Sequence, residues 1–85
     1  MKTFNYVIKD ELGIHARPAG LLVKEAGKFQ SAVKIAKDGK EVDAKRVLGV
    51  MGLCVKCGQE VTVSVDGADE NEAFEALEAF FQANL

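Results

Sequence analysis

The dipeptide Asp38-Gly39 constrains the fold of this chain more than any other feature of its sequence. Short strand-like patterns flank it, "SAVKIAK" before and "KEVDA" after. Asp-Gly between two such runs is a strong hairpin signal, because both central residues of a type I′ turn need positive φ angles. We therefore expect an antiparallel hairpin over residues 31–44, which excludes an all-parallel sheet.

Two further segments alternate between apolar and polar residues, as half-buried strands do. In "TFNYVIK", Phe4, Tyr6 and Ile8 share one face, and in "EVTVSVDG" the three valines are expected to point inward. Three other segments have helical patterns: one from Ala16 to a stop at Gly27, a short one over "VLGVM", and the acidic C-terminal segment. The residues expected on buried helix faces are Ala16, Ala19, Leu22, Val23 and Ala26, then Ala73, Phe74, Leu77, Phe80 and Phe81.

The C-terminal helix is predicted to begin with a capping box, since Asp69 and Glu72 have its spacing. The element order is therefore β-α-β-β-α-β-α. The 85 residues allow one domain, 1–85. Two or three amphipathic helices over one face of a four-stranded sheet would bury all the apolar stripes, which predicts an α+β open-faced sandwich.

Charge and composition narrow the possible functions. The formal net charge is −2 and the pI is about 5.3, which argues against a general nucleic-acid binder. There is no apolar signal region, and the longest uncharged apolar run, "VLGVMGLCV", is far too short to cross a membrane. We expect a cytoplasmic protein with no membrane insertion.

The segment "GIHARPAG" contains the only histidine, His15. If a helix starts at His15 or Ala16, Pro18 lies in its first turn, where a missing N–H costs nothing. The amides of Ala16, Arg17 and Ala19 then lack intrahelical partners. Together with the helix dipole and the Arg17 guanidinium, they would form an anion site.

Next to this positive helix end, the imidazole of His15 is expected to be mostly neutral, with a lone pair on one nitrogen. A neutral imidazole is a nucleophile, and the adjacent anion site would bind the product of its attack on a phosphoryl group. Two simpler interpretations stay open: His15 as a helix cap or surface residue, and Arg17 as a solvated charge. A metal site is disfavoured because no cluster of ligands surrounds the histidine, and a hydrolase because no catalytic partner accompanies it.

Cys54 and Cys57 have the C-x-x-C spacing of redox dithiols. Reactive pairs usually lie at a helix N-terminus, whereas this pair follows the predicted short helix. Two thiols alone do not make a zinc site. We therefore expect two reduced thiols without a redox role.

The chain closely resembles the HPr family, the histidine-containing phosphocarriers of the phosphoenolpyruvate-dependent sugar phosphotransferase system. The resemblance covers essentially the whole chain. It is carried by "GIHARPAG", "LLVKEAGKF", "DGKEVDAK", "VLGVMGL" and the Glu-rich terminal helix. It implies a four-stranded antiparallel sheet with three helices on one face, an expected monomer, and no cofactor or metal.

The resemblance also implies roles for individual residues. His15 would accept a phosphoryl group on Nδ1 from phospho-enzyme I and pass it to a sugar-specific enzyme IIA, so the protein would be a stoichiometric carrier and not an enzyme. Arg17 would stabilise the phosphoryl group, with backbone contacts from Ala16 and Arg17. Partner docking would involve Gly20, Lys24, Arg46, Val47, Leu48 and Met51. Lys45 is a further candidate for a basic rim, and core packing is the alternative for Val47 and Val50.

The chain departs from part of the family at Arg46, which stands where many members carry a regulatory serine. Arginine is not a substrate for a serine kinase, so we expect no serine-phosphate switch. The alternative function is an HPr-like regulatory or adaptor module that binds proteins through the same face. The sequence does not identify the sugar.

Overall fold

The hairpin predicted at Asp38-Gly39 forms in the structure, a computed structural model that describes all residues 1–85. Asp38 and Gly39 have φ angles of 52° and 81°, the two positive values that a type I′ turn requires. They join β2 (Ala32–Lys37) to β3 (Lys40–Asp43), which pair antiparallel. The feature that most constrained the fold is thus confirmed.

The remaining elements follow in the predicted order. They are β1 (Lys2–Val7), α1 (Ala16–Ala26), α2 (Val47–Gly52), β4 (Glu60–Asp66) and α3 (Glu70–Asn84). The sheet has the strand order β1-β4-β2-β3, and every neighbouring pair is antiparallel. The α+β open-faced sandwich, a four-stranded antiparallel sheet with three helices on one face, is confirmed.

The core lies between the sheet and the helices and contains 18 buried residues. All three valines of β4 are buried, as predicted. In the middle of the sheet, Val63 lies opposite Phe4 of β1 and Ile35 of β2. From α3, the Phe81 ring packs edge-on against Phe4 and Tyr6, with ring centroids 5.6 and 5.5 Å apart. These contacts fix α3 across β1, close to the loop that leads to His15.

The first helix differs from its predicted pattern at its start. It ends at the C-cap Gly27, as expected, but Ala16 is exposed, and Pro18 is buried in its place. Ala16 is the first residue of the helix and lies at its exposed end, so the buried stripe begins only at Pro18. None of the three helices has the length and apolar character needed to cross a bilayer.

The capping box predicted at the start of α3 is wrong. Asp69 is the N-cap residue, but its side chain makes no capping hydrogen bond. It instead accepts hydrogen bonds from the backbone N–H groups of Gln30 (2.8 Å) and Ser31 (2.9 Å), and from the Ser31 hydroxyl. Ser31, predicted to lie in a strand, is buried one residue before β2. Asp69 therefore connects the start of α3 to the residues just before β2 instead of capping its own helix.

Candidate functional site

A tight turn places His15 at the start of α1. Gly13 has a φ angle of 68°, and a Cβ atom at this position would lie 2.2 Å from the carbonyl oxygen of Val55. The next residue, Ile14, donates its N–H to that same oxygen at 3.0 Å. Only glycine fits the left-handed conformation and the close approach together. The turn fixes the chain immediately before His15, so the histidine has a defined position.

His15 is the N-cap residue of α1, with extended backbone angles of −91° and −171°. Its side chain makes no capping hydrogen bond and is 38% exposed. The carboxylate of Asp10 lies near the ring, with Oδ2 at 4.0 Å from Nε2. The structure thus does not support the interpretation of His15 as a side-chain cap.

The free amides of the first turn are those of Ala16 and Arg17. Neither N–H has a hydrogen-bond partner within the protein, and Pro18 has no N–H to offer. The expectation for Ala19 is wrong, because its N–H donates to the carbonyl of His15 at 3.0 Å. The prediction overlooked that the N-cap carbonyl accepts the first intrahelical bond. Two donors, not three, therefore point out of this helix end.

An open cavity of about 230 Å³ lies beside His15. It is lined by Asp10, His15, Arg17, Pro18, Leu21 and Asn84. Arg17 takes part in no ion pair within the protein, so its guanidinium is available to an anion. No acidic residue occupies the first turn of α1, where one would compete with such an anion. The arrangement suits a group of phosphoryl size and charge.

The predicted docking residues are at the surface. Leu48 is 82% exposed, and Val47 and Met51 are each 38% exposed, whereas Val50 is buried. Gly20 has open space where a side chain would project. Exposed large apolar residues grouped in this way are typical of interaction sites.

The basic residues near this patch differ from one another. Lys24 is exposed, and Arg46 is an exposed N-cap residue of α2 with Nε 3.8 Å from the Asp43 carboxylate. Lys45 does not extend into solvent as a rim residue would, because its ammonium group donates to the carbonyl of Phe29 at 2.8 Å. Lys24 and Arg46 remain as the basic candidates.

Sequence reasoning missed three residues that line the cavity, namely Asp10, Leu21 and Asn84. Asp10 had a local signal, since an aspartate followed by a glycine-containing turn often bonds its own backbone. Leu21 lies on the exposed side of the predicted helical stripe. Asn84 comes from the far end of the chain, and only the packing of α3 brings it to His15.

Cys54 and Cys57 are both exposed, with no disulfide between them. The Sγ atom of Cys57 lies 3.7 Å from the carbonyl oxygen of Lys9. Neither thiol lies at a helix N-terminus, because both follow α2. The absence of a redox role stays a prediction.

The family model described as the PTS HPr component phosphorylation site matches residues 2–83. The chain belongs to the HPr family of phosphocarrier proteins. The phosphocarrier HPr of Lysinibacillus sphaericus is 49% identical over 77 residues, which cover 91% of this chain and 88% of that protein. The crystal structure of HPr-C-His from Thermoanaerobacter tengcongensis superimposes with a TM-score of 0.93 at 43% identity, covering 98% of this chain and 93% of that one.

HPr relatives with another name are also similar. The crystal structure of Crh from Bacillus subtilis, a catabolite repression protein found as a domain-swapped dimer, is 44% identical with a TM-score of 0.78. The match covers 100% of this chain and 98% of that one. The family predicted from the sequence is confirmed, and the similarity to Crh keeps the adaptor alternative relevant.

Proposed function

We propose that this member of the HPr family is a stoichiometric phosphocarrier in sugar uptake. His15 accepts a phosphoryl group from phospho-enzyme I and passes it to the histidine of an enzyme IIA. The observation that carries the proposal is the environment of His15. This partly exposed imidazole lies at a helix N-terminus, beside two free N–H groups and an arginine without an ion pair.

The chemistry follows from these groups. The lone pair of Nδ1 attacks phosphorus, the P–N bond of the donor histidine breaks, and its electron pair returns to the donor nitrogen. The phosphoryl oxygens then accept hydrogen bonds from the N–H groups of Ala16 and Arg17 and from the Arg17 guanidinium. Because a P–N bond is exchanged for a P–N bond, transfer is close to isoenergetic and reversible.

Partner docking is proposed for the exposed apolar patch with its basic neighbours. The proposed residues are Gly20, Lys24, Arg46, Val47, Leu48 and Met51. An apolar centre with a cationic rim suits partners that present an apolar surface edged with acidic groups. Enzyme I and enzyme IIA would use this one face in turn. The carrier therefore needs no deep pocket.

An adaptor function is the second candidate, supported by the similarity to Crh. A module that only binds proteins has no need for His15 and Arg17 together, and this favours the carrier. Arg46 stands at the place of the family's regulatory serine, so we propose no serine-phosphate switch. A single HPr domain over 1–85, a monomeric state and a cytoplasmic location also stay predictions. Light scattering of the purified chain would test the oligomeric state.

The test is incubation with enzyme I and phosphoenolpyruvate labelled on its phosphoryl group. We expect one acid-labile phosphoryl group per chain in the natural sequence and none in His15→Ala. Arg17→Ala should accept the group more slowly while unfolding at the same temperature as the natural chain. Absence of label, or label that persists in His15→Ala, would refute the carrier function.

A further inference from the structure

We infer that Asp10 is a positioning residue, which keeps the proton of the His15 imidazole on Nε2 and so leaves the lone pair on Nδ1. This inference rests on the proposed function, because it concerns the nitrogen that attacks phosphorus. It adds a third side chain, after those of His15 and Arg17, on which the carrier chemistry depends.

Asp10 is held in place by hydrogen bonds that leave one of its oxygens free. Its Oδ1 atom accepts the N–H of Leu12 at 2.9 Å. Its own N–H donates to the carbonyl of Leu85, and its carbonyl accepts the N–H of Gly13, both at 2.9 Å. The remaining oxygen, Oδ2, lies 4.0 Å from Nε2 of His15. Both side chains are partly shielded from water, since Asp10 is 29% and His15 is 38% exposed.

A carboxylate only accepts hydrogen bonds, so it favours the imidazole tautomer that has its proton on the facing nitrogen. The distance of 4.0 Å is longer than a hydrogen bond, but such contacts are often long in the free protein and shorten in the reacting complex. Glu11, the neighbouring carboxylate, is exposed and makes no hydrogen bond or ion pair. Asp10 is therefore the residue able to select the tautomer.

The role of Asp10 increases during transfer. When Nδ1 forms its bond to phosphorus, the proton stays on Nε2 and the ring acquires a positive charge. The donor nitrogen takes back the electron pair of the broken P–N bond, so charge and atoms balance. The carboxylate of Asp10 then faces a cationic ring, and its attraction for that ring exceeds its attraction for the neutral one.

The substitution Asp10→Asn provides a sharp test, because Leu12 fixes the orientation of the new side chain. The amide oxygen of asparagine replaces Oδ1 as acceptor for the Leu12 N–H, so the NH₂ group faces His15. Nε2 then has to accept a hydrogen bond, and the proton moves to Nδ1. The nucleophilic nitrogen loses its lone pair, and phosphoryl acceptance from enzyme I should slow by at least about tenfold.

The tautomer is read from the two-bond proton–nitrogen couplings of the ¹⁵N-labelled His15 ring, at a pH where the imidazole is neutral. We expect predominantly the Nε2–H form in the natural chain, a shift toward Nδ1–H in Asp10→Asn, and no shift in the matched control Glu11→Gln. An unchanged tautomer in Asp10→Asn would overturn the inference, whatever the transfer rate. If the natural chain accepted no phosphoryl group while the tautomer shifted, the proposed function would fail instead.

Discussion

The starts of α1 and α3 are both helix N-termini, but the charged side chains at these two ends have opposite sign. At α1, the first turn contains no acidic residue, the N–H groups of Ala16 and Arg17 are free, and Arg17 lines the cavity beside His15. At α3, Glu70 and Glu72 occupy the first turn. Glu70 also accepts the N–H of Gly67 and pairs with the N-terminal ammonium group of Met1, both at 3.2 Å.

This difference in charge gives the two helix starts different roles: one stabilises the fold, and the other is open to an anion. Acidic residues at a helix N-terminus stabilise it, because they offset the partial positive charge of the dipole. The start of α3 has this stabilisation, and an external anion would be repelled there. The start of α1 lacks it, and this leaves a place for a phosphoryl group. The candidate site therefore lies at the helix start that lacks acidic stabilisation.

The substitution with the largest expected effect makes α1 resemble α3. In Arg17→Glu, phosphoryl acceptance should fall about 100-fold or more, because a lost hydrogen bond to a charged group costs about 1.5–3 kcal/mol and the carboxylate adds repulsion. Thermal stability should rise slightly, by about 0.3–1 kcal/mol. The matched variant Arg17→Gln should lose roughly tenfold in rate. Equal rates in the Glu and Gln variants would show that charge at this position is unimportant.

Acid should weaken the start of α3, where two carboxylates stabilise the fold in their charged form. The hydrogen bond from the Ser31 hydroxyl, followed by that from the Gln30 N–H, lowers the pKa of Asp69 below its ordinary value. The pKa of Glu70 is lowered mainly by the Gly67 N–H. Both groups stabilise the fold fully above the unfolded-state pKa of about 4, and this stabilisation is lost as the pH falls through the lower folded-state values.

Urea unfolding measured between neutral and acid pH tests this expectation. The natural chain should lose stability as the pH falls below about 4, and Asp69→Asn should be less stable at neutral pH with a flatter acid profile. Glu75→Gln, at an exposed position of the same helix, serves as the control. A profile for Asp69→Asn that parallels the natural one would exclude Asp69 from the acid response.

The Ser31 hydroxyl should have a smaller effect of its own. Ser31→Ala removes one hydrogen bond to Asp69 from a buried position and should lower the free energy of unfolding by about 1 kcal/mol. Ser64→Ala, in the middle of β4, is the matched change without a side-chain hydrogen bond and should be nearly neutral. Phosphoryl acceptance should be unaffected in both, and equal losses of stability would contradict the connection between Ser31 and α3.

The two cysteine thiols should contribute least to stability and to the rate of phosphoryl transfer. The double variant with Cys54→Ser and Cys57→Ser should keep the stability and transfer rate of the natural chain, because both side chains are exposed and follow α2. Urea unfolding and the enzyme I transfer assay measure the two properties. A double variant that loses either one would contradict the prediction that these thiols have no role.

Most of the fold was predictable from local patterns. The Asp38-Gly39 turn, the valines of β4 and the helix beginning after His15 each follow from a short segment. The predictions were wrong where a side chain forms its hydrogen bond with a residue distant in the sequence instead of a neighbouring one. Asp69 bonds residues 30 and 31 across the fold, and Lys45 reaches the carbonyl of Phe29. These long-range hydrogen bonds depend on which helices and strands pack together. The spacing of residues along the chain does not show this packing.

The candidate site was predictable to a lesser degree. His15, Ala16 and Arg17 were found because one helix start contains them all. Asn84 and the carbonyl of Leu85 reach the same place only through the packing of α3 against β1. The contact between Asp10 and His15 depends on the turn at Gly13. The sequence therefore predicts the residues next to His15 in the chain. The neighbours that are distant in sequence become known only from the tertiary structure.

The most direct measurement compares the two helix starts before and after phosphorylation, by backbone amide chemical shifts of ¹⁵N-labelled protein. A phosphoryl group bound at α1 should shift the amide protons of Ala16 and Arg17 strongly, since hydrogen bonds to an anion deshield them, and leave Asn71 and Glu72 unchanged. Phosphorylated protein in which Ala16 and Arg17 do not shift would contradict the claim that α1 is left open for the phosphoryl group.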